Sequence, residues 1–146
     1  MAGPGAWVVH DKWKEKTLNG TLDGDSNAYV VRLYTSGTNI STVTLADAST
    51  ATNEVANGNG YTTGGTSVTP SVSEASGVTK LDITDPSWNA TGSGITARYA
   101  ALINTTATPD EVVAHCLLDS ADADVVAAAG NTFTIQIHSN GVVLFV

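Results

Sequence analysis

The C-terminal stretch Thr132-Phe-Thr-Ile-Gln-Ile-His-Ser-Asn-Gly-Val-Val-Leu-Phe-Val146 gives the clearest indication of the fold. Apolar and polar residues alternate strictly from Thr132 to Ser139, which is the period of a β-strand with one buried face. The dipeptide Asn140-Gly141 follows, and it is the strongest short signal for a two-residue hairpin turn. The stretch therefore predicts a C-terminal β-hairpin whose second strand runs from Val142 to Val146.

The register of this hairpin assigns residues to its two faces, because directly opposed residues share a face. The predicted core face comprises Phe133, Ile135, Ile137, Leu144 and Val146. The other face carries Gln136, His138, Val143 and Phe145. A solvated face has no need of Phe145, so we expect either this chain or another subunit to cover it.

Further short segments upstream also alternate with a period of two. They are Tyr29 to Thr35, Thr79 to Ile83 and Ile95 to Ile103. Ile40 to Leu45 gives at most two short pieces, and Thr108 to Leu118 fits a strand or a capped helix equally well. Several short strands separated by turn residues predict a mainly β fold, an antiparallel β-sandwich or a jelly-roll-like β-barrel.

One short helix is expected near the N-terminus, between Ala6 and Asn19. Val9 and Trp13 stand at i and i+4, and Asn19-Gly20 supplies a stop signal. We therefore divide the chain into an N-terminal arm and helix, residues 1–20, and a single β domain, residues 21–146.

Composition excludes several functional classes. The chain has 146 residues, 42% hydrophobic and only 14% charged, with a formal net charge of −8. This length suits one domain with its own core, and the acidic balance argues against nucleic-acid and anionic-membrane partners. There is no apolar run of membrane-spanning length and no signal-peptide pattern. The single cysteine, Cys116, excludes an internal disulfide framework.

No residue pattern indicates catalysis, a cofactor or a metal. His10, His115 and His138 are scattered, and we expect them at the surface or in an interface. Cys116 has no activating neighbour on its own strand face, so a buried and inert thiol is expected.

Two acidic clusters lack the features of a calcium site. Asp23, Asp25 and Asn27 resemble the start of an EF-hand loop, but Ala28 stands where glycine is needed, so a turn before a strand is preferred. For Asp119 to Asp124 a solvated acidic loop is preferred over weak calcium binding. The aromatic residues could form a sugar-stacking platform, although core and interface packing is their more ordinary use; they are Trp7, Trp13, Trp88, Tyr61 and Tyr99.

Several segments read together resemble a family of small virion structural proteins of tailed bacteriophages. These segments span nearly the whole chain: Leu22-Asp-Gly-Asp25, Tyr29 to Thr35, Asn53-Glu-Val55 with Gly58-Asn-Gly-Tyr-Thr-Thr-Gly-Gly65, Trp88, Ile95 to Ala100, and Gly130 to Gln136 with the Asn140-Gly141 turn. The most specific part lies between Asn53 and Gly65. The resemblance implies a β-rich particle component that is assembled in many copies.

Among such proteins we expect a non-enzymatic capsid decoration, or cement, protein. It would be made in the host cytoplasm, bind the major capsid protein on the outer surface of the phage head, and stabilise the lattice as a homotrimer. The alternatives are a neck or tail component and a carbohydrate-binding adhesion module.

Two features suggest which residues form the interfaces. Phe145, with Val143 and His138 on the same hairpin face, is expected to pack subunit against subunit. Lys12, Lys14 and Lys16 concentrate basic charge on one short segment of an acidic chain. We expect that segment, anchored by Trp7 or Trp13, to contact the head protein.

Overall fold

The computed structural model describes residues 5–146 as a mainly β fold, 39% strand and 8% helix, which confirms the predicted fold class. The elements are β1 (Val8–Val9), α1 (Asp11–Leu18), β2 (Tyr29–Tyr34), β3 (Thr66–Val68), β4 (Pro70–Ala75), β5 (Val78–Ile83), β6 (Ser87–Asn89), β7 (Ile95–Ala97), β8 (Tyr99–Asn104), β9 (Glu111–Leu117), β10 (Val125–Ala127), β11 (Thr132–Thr134) and β12 (Val143–Phe145), with a 3₁₀ turn at Ala48–Thr50. All strand pairs are antiparallel.

The largest sheet has five strands in the order β1-β9-β8-β2-β3. Its central strands are buried on both faces. In β8, Leu102 packs in the main core, whereas its neighbours Ala101 and Ile103 pack in a second, smaller core on the opposite face. The segment between β2 and the 3₁₀ turn contributes Ile40 to this second core. Ile40 to Leu45 is therefore a covering loop of turns and not a strand.

A three-stranded sheet in the order β12-β5-β4 packs on the main core, with two two-stranded sheets, β10-β7 and β11-β6. β4 and β5 form a hairpin through Ser76-Gly77, whose φ angles of 54° and 80° are both positive. Two central residues with positive φ characterise a type I′ turn, so the two-residue hairpin of this protein lies here. The Gly77 amide also donates to Glu74 Oε1 at 2.7 Å.

The predicted C-terminal hairpin is wrong. β11 pairs with β6, and β12 pairs with β5, so the two halves of the stretch join different sheets. A turn does occur near the predicted place, but the Gly141 amide donates to the His138 carbonyl, which makes Ser139 and Asn140 the central residues. Longer-range packing prevails over the local turn signal here, since the Phe133 ring packs edge-on against Trp88 at 6.0 Å between centroids.

The predicted faces change with this pairing. Phe133 and Ile135 are buried as expected, but Leu144 and Val146, assigned to the core, are 42% and 96% exposed. Val143, assigned to the outer face, is 3% exposed and belongs to the main core.

The helix begins later than predicted. Residues 8 and 9 form the edge strand β1 against β9, and α1 begins at Asp11. Val9 and Trp13 therefore do not share a helix. Trp13 is 1% exposed, so α1 is fastened to the body of the domain through a core residue.

The glycine-rich segment before β3 is held by Tyr61. The Tyr61 ring is buried, and its hydroxyl donates to Glu54 Oε1 at 2.7 Å while it accepts from the Leu33 amide at 3.1 Å. Thr108 to Leu118, which fits a strand or a helix by its sequence, contains the strand β9 at Glu111–Leu117.

We predict that Gly141→Ala destabilises the fold more than Gly20→Ala. The two glycines have similar φ angles, +70° and +77°, so both variants incur the left-handed strain of about 1–2 kcal/mol. Only at position 141 does an added Cβ lie 2.4 Å from a backbone oxygen, that of Leu81, whereas at position 20 it meets nothing within 4 Å. Urea unfolding of both variants measures the difference, and equal losses would contradict this packing. The bulkier Gly141→Val should be worse than Gly141→Ala.

Candidate functional site

A cleft of about 750 Å³ separates the N-terminal arm from the C-terminal segment. Its lining is mostly apolar, with three planar polar side chains. The lining residues are Gly5, Ala6, Trp7, Val9, Gln136, Ile137, His138, Asn140, Gly141, Val142 and Leu144. The volume is typical of a pocket that takes a small ligand or a short peptide.

The cleft lies between two free sheet edges. β1 is the end strand of the five-stranded sheet, and β12 is the end strand of the three-stranded sheet. Val9 from β1 and Leu144 from β12 both line the cleft. Edge strands expose backbone N–H and C=O groups to solvent, so this region offers hydrogen-bonding groups as well as apolar side chains.

A second groove, of about 450 Å³, lies between α1 and the three-stranded sheet. Phe145 lines it together with Trp13, Leu22, Val72 and Leu81. Phe145 is 45% exposed, so the described residues of this chain cover its ring only in part, and its packing against another subunit stays a prediction. Consecutive residues of β12, Leu144 and Phe145, therefore line different grooves.

The structure brings together only some of the residues that were predicted to form interfaces. Trp7 and His138 both line the cleft. Val143 and Trp13, in contrast, are buried in the main core, where they stabilise the fold and leave little surface for a partner. The contact of this N-terminal segment with a partner cannot be tested by deleting residues 1–16. The deletion would remove the core residue Trp13 and the edge strand β1, so it would disturb folding as well as docking.

The lysines of α1 are all paired with acids. Lys12 Nζ lies 2.6 Å from Glu15 Oε2, and Lys14 Nζ lies 2.8 Å from Asp11 Oδ1. Both pairs are exposed, and exposed pairs of this kind contribute less than about 1 kcal/mol. Lys16 pairs instead with the buried carboxylate of Glu111, which ties α1 to β9. The predicted basic segment thus has two accessible lysines and not three.

Two histidines form a buried pair that the sequence did not predict. His10 is 0% exposed and His115 7% exposed, with His10 Nε2 2.9 Å from His115 Nδ1. His10 Nδ1 lies 2.7 Å from the Leu45 carbonyl, which can only accept, so Nδ1 carries the proton and Nε2 accepts from His115. These residues are 105 apart in the sequence. The pairing of β1 with β9 brings them together, because His10 follows β1 directly and His115 lies within β9.

Burial lowers the pKa of both imidazoles. For His115 the pKa falls to about 4, because burial disfavours the charged ring and because His10 adds repulsion. For His10 burial again lowers the pKa, although its hydrogen bond to Leu45 opposes the shift. The pair is therefore neutral near pH 7, and it joins the arm, the covering loop and β9. The expectation that His10 and His115 lie at the surface or in an interface is wrong.

The cysteine and the two acidic clusters considered as possible sites make contacts that stabilise the local structure. Cys116 is buried, and burial raises the pKa of its thiol to about 12, as expected for an inert cysteine. Asp23 Oδ1 accepts from the amides of Asp25 and Ser26, which makes this cluster a turn before β2. Arg98 donates to Asp124 Oδ1 at 2.8 Å.

Among residues 5–146, no group of three or more His, Cys, Asp or Glu side chains is placed to hold a metal ion. The helix in this part of the chain is too short to cross a bilayer. No family model, no curated protein and no solved structure matches the chain.

We predict that the His10–His115 pair makes the fold sensitive to mild acid. Below pH 6.5 the unfolded chain binds protons on these imidazoles that the folded protein does not bind, so the free energy of unfolding falls as the pH is lowered. From pH 7 to pH 5, His115 alone should account for about 2 kcal/mol. Thermal or urea unfolding across this range measures the slope. His115→Gln should flatten it, whereas His138→Gln, at an exposed position, should not. A wild-type stability that is constant from pH 7 to pH 5 would contradict the prediction.

Proposed function

We propose that this chain is a non-enzymatic virion structural protein, a capsid decoration protein that binds the outside of the phage head lattice. The proposal rests on the resemblance of the sequence to small virion structural proteins, and on one structural observation. That observation is the apolar strand β12 and the residue after it, with Leu144 42%, Phe145 45% and Val146 96% exposed beside an apolar cleft. An apolar surface of this kind on an acidic domain is typical of a protein that acts through assembly.

Decoration would stabilise the head through mass action. A protein that binds only the assembled lattice lowers the free energy of that state by an amount that grows with its concentration. Copies that associate with one another and with the lattice at the same time strengthen each contact through a high effective concentration. The proposal therefore has two surfaces, one between copies and one toward the major capsid protein.

The exposed part of α1 is the surface that we assign to the head protein. Lys12 and Lys14 are both about half exposed, and their pairs with Glu15 and Asp11 are weak enough to exchange for a stronger acidic partner. Charges at the rim of an interface act mainly on the rate of association, so binding through them should weaken as salt is added.

The test is binding to purified undecorated heads. The double variant Lys12→Gln and Lys14→Gln should slow association by roughly tenfold at low salt, with a smaller effect at high salt. A matched control is Ser71→Glu with Ser73→Glu on the exposed strand β4, which lowers the net charge by the same two units at another place. Equal effects of both variants would remove α1 from the interface. No binding of the wild type to heads would refute the decoration role.

Copy number separates a decoration protein from a neck or tail component. A decoration protein should be present in virions in numbers comparable with the major capsid protein, whereas a neck component is present in about a dozen copies. Gel stoichiometry of purified particles measures this ratio.

A second candidate function is carbohydrate binding, and one observation favours it. Trp7 is partly exposed in the cleft beside Gln136, His138 and Asn140, so an aromatic ring and planar polar groups line one site. Trp13, Trp88 and Tyr61 are buried and cannot extend this platform. Titration with oligosaccharides should then change the tryptophan fluorescence of the wild type. The double variant Trp7→Phe and Gln136→Ala should show no such change. An unchanged wild-type signal would exclude this candidate for the sugars used.

A further inference from the structure

The free edge of β12 is the strongest unexplained feature of the molecule. β12 pairs with β5 on one side only. Among the described residues, no other backbone or side-chain group hydrogen-bonds to residues 144–146. Natural edge strands are commonly protected by a charge, a proline or a bulge on the exposed side. Val143, Leu144 and Phe145 offer neither a charge nor a proline, and their edge is left open.

On each face of the sheet, a depression lies beside this edge and has room for further side chains. Leu144 lines the cleft next to the N-terminal arm, and Phe145 lines the groove next to α1. A strand added alongside β12 would direct alternate side chains over these two depressions, since successive residues of a strand point to opposite faces. Strand addition of this kind combines backbone hydrogen bonds with apolar contacts on both faces.

We propose that the strand added here is β12 of a second copy, antiparallel, so that two copies form one continuous six-stranded sheet. This inference deepens the proposed function, because it rests on copies of the chain associating with one another. The sequence of β12 and its neighbours, Val142-Val-Leu-Phe-Val146, is itself an uncharged and apolar extended segment, which is the occupant that this edge requires.

Charge also favours a second copy at this place. Two copies with a net charge of −8 each repel one another over most approaches. The lining of the cleft contains neither Asp nor Glu, so the Leu144 side of β12 adds no acidic side chain to that repulsion, and on the Phe145 side Asp23 and Asp25 of the groove lie with Lys80. The strand is, in addition, self-complementary. An antiparallel pair centred on Leu144 places Leu144 opposite Leu144 of the second copy, and Val143 opposite Phe145 of the second copy.

This geometry specifies the symmetry. Contact of a surface with the same surface of another copy is isologous, and it closes after two copies. The pairing therefore predicts a dimer, or an even-numbered assembly built from dimers, in place of the trimer expected from the sequence.

The register is tested by a disulfide at the proposed axis. Leu144→Cys places two thiols on directly opposed residues, within reach of a disulfide. At micromolar protein under mild oxidation, it should form a covalent dimer about a hundredfold faster than a matched control, because the two thiols are held together. The control is Val126→Cys on the edge strand β10, since Val126 is also apolar and is 63% exposed. The native Cys116 is 1% exposed and does not compete.

A second pair of variants tests the contact without a covalent bond. Leu144→Asp should raise the dissociation constant of the dimer in analytical ultracentrifugation at least tenfold, by roughly the cost of charge at an apolar contact. Val126→Asp should leave it unchanged. Circular dichroism and thermal unfolding of the monomer fraction establish that Leu144→Asp remains folded, as expected for a side chain that is already 42% exposed.

Three results would overturn the inference: a wild type that sediments as a monomer or a trimer, cross-linking of Leu144→Cys no faster than of Val126→Cys, or a dimer that persists in Leu144→Asp. These measurements are made without heads. A dimer that fails to bind heads would therefore refute the decoration role alone, and a monomer that binds heads would refute the strand pairing alone.

Discussion

The pairing of β8 with β2 and β9 is the constraint on which the rest of the structure depends. These three strands are buried or half-buried on both faces, so their backbone groups must be satisfied largely within the sheet. Burial on both faces also requires two covers. The three-stranded and two-stranded sheets provide one, and the loop that contains Ile40 provides the other. The buried imidazoles of His10 and His115 fasten this loop and the arm to β9.

The period of two in the sequence predicts several of the strands but not their partners, and it does not predict β3, β4, β6 or β10. Tyr29, Val31 and Leu33 are all buried, as their alternation indicates. At the C-terminus the alternation from Thr132 correctly predicts the burial of Phe133 and Ile135, but the predicted pairing is wrong. A hairpin signal such as Asn140-Gly141 is local, whereas β11 gains an aromatic contact with Trp88 and β12 gains β5, both distant in sequence. The contacts that decide between these pairings are therefore absent from any short window of sequence.

The residues of the candidate sites also differ in how far the sequence predicts their surroundings. Phe145 could be singled out from the sequence as an aromatic residue near the end of a strand, but the face assigned to it was wrong, because Val143 on the same side of β12 is buried in the main core. The buried pair His10–His115 could not be singled out, since nothing near either residue distinguishes it from a surface histidine. The lysines illustrate a third case. Their concentration on α1 is visible in the sequence, but the partner of Lys16 is Glu111, on a strand 95 residues away, and this contact turns a surface charge into a structural tie.

The two ends of the described chain meet in one region, and this arrangement links fold to proposed function. β1 and β12 are end strands of different sheets, and the cleft between them takes residues from both. End strands contribute least to the buried core, so they can exchange partners at the smallest loss of stability. In the proposed function, an acidic domain that places an uncharged, apolar and incompletely paired strand here keeps its core independent of assembly. Contacts made there add to a fold that is already complete, which is the property that a protein needs if it is to be folded first and bound to a partner afterwards.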